Sequence, residues 1–167
     1  MELLAQLLGV LIAVLCILAT QMKKKWQMML LSATANLLAG INYLVFVGFS
    51  NAFMVSMVAV VQTTVDIFKS QKGKETSKVE KIVYLVLYLT LGVLGVKNLE
   101  DWLIVLASIT FCLSVFCKKE QGVRAFMVGN AATNVVYTLL VNSTTLYSQI
   151  FSLISGVIAL IRYRKKD

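Results

Sequence analysis

Asn130, Thr133, Asn134 and Tyr137 fall at i, i+3, i+4 and i+7 of an otherwise apolar run, so on a helix they share one face. Asn36 and Tyr43 repeat the seven-residue spacing on an earlier run, with Ala39 and Gly40 between them and Asn42 beside Tyr43. Amides and phenols placed in this way have two uses. They can line a site for a small neutral or weakly polar solute, stacked on a ring and hydrogen-bonded at its edge. They can also join helices inside a membrane, where interhelical hydrogen bonds average about 0.6 kcal/mol. Either way something must satisfy them, because a bare amide in hydrocarbon is strongly unfavourable.

Three further polar residues are secondary candidates. Gln62 and Asp66 share a face of a third apolar run, and Asp66 is the one carboxylate expected inside such a run. An intramembrane acid points to function by default, but Lys69 lies close enough in sequence for an interfacial ion pair. Gln149 heads a stripe with Ser152 and Gly156 that suits close helix packing, as does a stripe of Gln6, Gly9, Ala13 and Cys16. Enzymatic chemistry lacks its parts: the chain has no histidine and only eight carboxylates, most of them between the apolar runs. No triad, paired-carboxylate site, metal cluster or cofactor site is expected. Cys16, Cys112 and Cys117 lack ligand spacing and read as small packing residues. The sequon at Asn142 reads as turn composition.

The elements that carry these residues are apolar and long. Of 167 residues 59% are hydrophobic and 14% charged, with mean hydropathy +0.82. A soluble domain carries about 25% charge. The charges cluster between seven apolar stretches, at about residues 3–20, 26–47, 51–68, 79–96, 101–117, 122–141 and 145–162. Each approaches the roughly 20 residues that cross a hydrocarbon core. The expectation is an all-α membrane protein of seven transmembrane helices forming one membrane domain. Glu2 stands where a signal peptide would be basic, so the first stretch is expected to be a retained span.

Fifteen of the sixteen Lys and Arg residues fall in the first, third and fifth connections and the tail. By the positive-inside rule those lie in the cytoplasm and the amino terminus outside. Two crossings between residues 79 and 117 are needed to keep the third and fifth connections on one side. The net charge of +8 then reflects topology and anionic lipid headgroups at the cytoplasmic face rather than nucleic acid.

Displaced by 94 residues, the sequence matches itself at Lys24 with Lys118, Lys25 with Lys119, Asn36 with Asn130 and Tyr43 with Tyr137. Stretches one to three then answer five to seven, with the fourth left over. Such a 3+1+3 plan makes the two units parallel repeats, a transporter design with a site between them near the midplane. The segments "MKKKWQMMLLSATANLLAGINYLVFVGFSNAFMVSMVAVVQTTVDIFKS" and "GVRAFMVGNAATNVVYTLLVNSTTLYSQIFSLISGVIALIRYRK" resemble the bacterial YgjV family of inner-membrane proteins. That family is in turn similar to the SWEET, PnuC and PQ-loop transporters. The resemblance implies a small-molecule facilitator of the bacterial inner membrane, or a membrane protein that keeps the scaffold and binds a partner or lipid. The chain has no proline, so hinges of the kind those relatives place at proline would fall at glycines such as Gly40, Gly92, Gly95, Gly129 and Gly156.

Overall fold

The computed structural model describes residues 2–46, 48–140 and 146–164, with side chains from residue 6 onward. Asn142 and the end of the basic tail lie outside the described residues. Within them are seven helices and no strand: α1 Glu2–Gln21, α2 Lys25–Phe46, α3 Asn51–Gln71, α4 Lys78–Leu94, α5 Asp101–Phe116, α6 Glu120–Leu140 and α7 Leu146–Arg162.

The connections end the helices by ordinary means. Ser50 caps α3, its hydroxyl accepting from the Phe53 amide. At α4 Ser77 and Glu80 form a reciprocal capping box. Asp101 opens α5 by accepting from the backbone N–H groups of Lys97 and Asn98. Gly73 takes the chain out of α3 with φ of +66°, a conformation open to glycine.

Each helix packs on its neighbours in sequence, α3 also touches α5, and α7 returns to pack on α1, which closes a ring. The third and fifth connections meet at one end, where Lys118 Nζ lies 2.7 Å from Glu75 Oε1. The hydrogen bond from Lys118 holds the Glu75 carboxyl below the ordinary carboxylate range. Both side chains are exposed, so the pair marks position more than it stabilises.

The exterior of the ring is apolar, and polar side chains are buried beside its apolar core. On α1 the exposed stripe is Leu7, Val10, Leu11, Val14 and Leu18; on α7 it is Tyr147, Phe151, Ile154, Ile158 and Ile161. Ser32, Ser56, Gln62, Thr63, Ser108, Ser114 and Ser152 are buried instead. In water such an arrangement would expose large apolar patches and desolvate hydroxyls, whereas lipid removes the first penalty and intrahelical bonds the second. Ser56, Thr63 and Ser108 donate to carbonyls one turn back.

By length and composition α2 and α3, with 22 and 21 residues, are long and apolar enough to cross a membrane. The shorter apolar helices α5 and α7 have 16 and 17 residues, about 25 Å at 1.5 Å per residue.

Candidate ligand-binding cavity

Inside the ring is a cavity of about 490 Å³ to which all seven helices contribute. Its floor is set by Thr20, Ser32, Ala59, Tyr88, Phe111 and Met127. From there it extends to the end of the ring opposite the basic connections, reaching Tyr43, Asn51, Gly95, Asp101 and Ser148. Towards the basic end Met28, Met29, Val115 and Val123 are fully buried in one cluster, with Met22, Ile67 and Met127 packed against it. The void thus reaches one end of the helical ring and is plugged towards the other.

Asn36, Asn42, Tyr43, Asn130, Asn134 and Gln149 line it, drawn from α2, α6 and α7. Thr133 and Tyr137 are outside the lining; Thr133 donates to the Gly129 carbonyl one turn back. The two paired asparagines do different work. Asn130 donates across to the Ala107 carbonyl of α5 at 2.7 Å and accepts from Asn134 at 3.1 Å. Asn36 donates only to Ser32 on its own helix, at 2.9 Å. Asn130 therefore joins helices while it lines the cavity, and Asn36 lines it without joining anything.

Their substitutions should differ accordingly. Asn130→Leu removes an interhelical bond and a partner of Asn134, and is expected to cost about 1 kcal/mol in a detergent melting assay. Asn36→Leu should change stability by less than about 0.5 kcal/mol. Equal losses from the two would contradict this division of labour.

Gln62 and Asp66 lie on α3 beneath the floor. Gln62 is 1% exposed and its amide donates to the Cys112 carbonyl at 3.3 Å. Asp66 does not pair with Lys69. It binds Lys25 at the start of α2, Nζ to Oδ2 at 2.8 Å, and accepts from Thr76 at 3.1 Å, while Lys69 pairs with Glu80. The reason is reach: α2 enters beside α3, so Lys25 arrives facing the ring, whereas Lys69 lies three residues past Asp66 and faces α4.

Two residues carry more than their sequence suggested. Arg124, expected in the fifth connection, is buried in the second turn of α6. Its guanidinium donates to the carbonyls of Thr20 and Met22 at the end of α1, at 3.3 and 2.6 Å, and lies 4.4 Å from the Tyr163 ring centroid. The available signal was Glu120, an acidic first-turn residue that starts the helix before Arg124. Tyr88 of α4 is 1% exposed and faces the cavity. Its signal was a phenol among apolar neighbours, whose hydroxyl needs a partner.

A closed helical ring with an apolar exterior and hydroxyls and amides buried within it defines an integral membrane protein of the all-α class. The chain belongs to the YgjV family of bacterial inner membrane proteins, which it matches over residues 3–167. No curated protein and no solved structure matches it.

Proposed function

We propose that this protein is a facilitator that equilibrates a small neutral or weakly polar solute across the bacterial inner membrane, without covalent chemistry. The observation that carries the reading is the cavity lined by all seven helices, with asparagines inward and its basic end closed by Met28, Met29, Val115 and Val123. A cavity that reaches one end of the ring and is plugged towards the other suits one half of an alternating-access cycle.

In this reading all seven helices cross, α1–α3 and α5–α7 are parallel repeats related as in the SWEET and PnuC transporters, and α4 joins them. Asn36 and Asn130 hold matched positions on the central helix of each triplet and both reach the cavity, which supports the repeat. The basic end is cytoplasmic and the cavity opens outward. Asp66 is engaged by Lys25 and Thr76, which favours passive equilibration over a proton relay. The Met28 and Met29 plug also suits a second reading, a non-transporting membrane protein that presents the ring to a partner or lipid.

Vesicles containing the purified protein test both topology and passage. A cysteine engineered at Asn51 or Asn98 should react with an impermeant reagent at the face opposite one engineered at Gly73. In osmotic-swelling measurements with graded neutral polyols and amides, some members should enter faster than into protein-free vesicles. Swelling equal to protein-free vesicles for every solute would favour the non-transporting reading, and labelling of Asn51 and Gly73 at the same face would end the seven-crossing topology.

A further inference from the structure

On the outside of the ring a shallow groove runs along the seam where α7 packs back on α1. Its apolar part is Ile17 of α1 with Phe151, Ile154 and Ile158 of α7, and its polar end is Gln21 and Arg162. Phe151, Ile154 and Ile158 fall at i, i+3 and i+7 of α7, and all three are exposed. Arg162 follows one turn later, as the last residue of the helix. From Phe151 to Arg162 the rise is about 16 Å at 1.5 Å per residue, close to one leaflet of a hydrocarbon core about 30 Å thick. The polar end is held in place. The Gln21 amide nitrogen donates to the carbonyl and the hydroxyl of Ser155, each at 2.9 Å, and its oxygen accepts from Arg162 Nη1 at 3.3 Å. Among the described residues no carboxylate pairs with Arg162 and none lines the groove. Arg124, by contrast, is turned inward to the α1 carbonyls.

We propose that this groove seats one anionic phospholipid of the leaflet at the basic end, its phosphate on Arg162 and an acyl chain along Ile158, Ile154 and Phe151. A planar guanidinium takes two phosphate oxygens at once, and Gln21 aims this one over the groove. The ammonium of a zwitterionic headgroup would find no carboxylate there, which sets the preference for an anionic one. The lipid touches both helices, so it fastens the seam that closes the ring. General attraction of the basic connections to anionic lipid needs no particular residue, whereas this seat depends on one arginine and one apolar track. It requires only that α1 and α7 lie in the bilayer, which the cysteine labelling above tests on its own. It stands whether or not the cavity passes a solute.

The delipidated full chain in neutral detergent is titrated with phosphatidylglycerol or phosphatidylethanolamine of the same acyl chains, and bound lipid is counted by native mass spectrometry. One phosphatidylglycerol should bind about tenfold more tightly than phosphatidylethanolamine, the size of one charge-assisted hydrogen bond. Arg162→Gln should bring the two lipids to equal affinity, and Ile158→Trp, which fills the track, should weaken both. Both side chains are exposed, so each variant is expected to fold. Lys72→Gln, exposed in the third connection at the same end, should change neither lipid. Equal affinity of the two lipids for the wild type, or a preference that survives Arg162→Gln, would overturn the headgroup seat. A preference lost equally in Lys72→Gln would show diffuse attraction to the whole basic end and overturn it as well. Undiminished binding in Ile158→Trp would remove the acyl track. Displacement of the lipid by inorganic phosphate would make a free anion the ligand and overturn the proposal.

Discussion

Replacing Lys25 by methionine is expected to cost about 3 kcal/mol, because it strands a carboxylate that is almost out of water. The Asp66 side chain is 10% exposed and that of Lys25 17%. After the substitution only the Thr76 hydroxyl remains on Asp66. Asp66→Leu should cost less, since the lysine stem can carry its ammonium to the nearby surface. The double variant Lys25→Met with Asp66→Leu should recover much of the loss, since no buried charge is left without its partner. Denaturation of the four species in detergent gives the coupling directly. Small additive losses would show that the pair is screened as surface pairs are, each worth about 0–1 kcal/mol.

Gly156→Val should have an effect of similar size, about 2–3 kcal/mol. A methyl group at Gly156 would already stand 2.8 Å from Val128 Cγ2 of α6. Val128 is branched at Cβ and held in one rotamer by its helix, so it cannot swing aside. The added bulk must push α7 from α6, and Val128→Ala should restore most of the stability. Gly40→Ala is the contrast. The atom nearest a methyl there is the terminal carbon of Met57, the free end of an unbranched side chain. With alanine the better helix former by about 1 kcal/mol, Gly40→Ala should be neutral or slightly stabilising. A Gly156→Val protein that melts with the wild type would mean that the α6–α7 seam is looser than its geometry.

Helix count and limits were legible because charge and apolarity alternate in blocks: the stretch at 101–117 became α5, Asp101–Phe116, and that at 51–68 became α3, extended to Gln71. The rotation of each helix was not. A stripe at i, i+3, i+4 and i+7 covers a wide arc, and the cavity can be centred on either side of it. On α2 the lining is Ser32, Ala35, Ala39 and Asn42, to one side of Asn36; on α6 it is Met127, Ala131 and Asn134, to the other side of Asn130. Opposite rotations bring Tyr43 to the cavity and leave its counterpart Tyr137 out. Long-range partners were also hidden, since nothing in spacing joins Lys25 to Asp66 across 41 positions or Arg124 to the end of α1. Treating every charge as a boundary moved Arg124 into a connection, although it is 2% exposed within α6.

The closure of the ring sets a timetable for synthesis. The last carbonyls of α1 are held by Arg124 and by Tyr163, whose hydroxyl donates to Gln21, and the Gln21 amide donates to Ser155. Those partners lie 102 to 142 residues further along the chain. Of the seven helices α1 therefore packs on α2 at once but gains these other partners only when α6 and α7 have been made, while α2 to α5 assemble through contacts with their immediate neighbours. Only when α7 arrives is the cavity wall completed, so a nascent chain has most of its neighbouring helix pairs well before it has an enclosed interior.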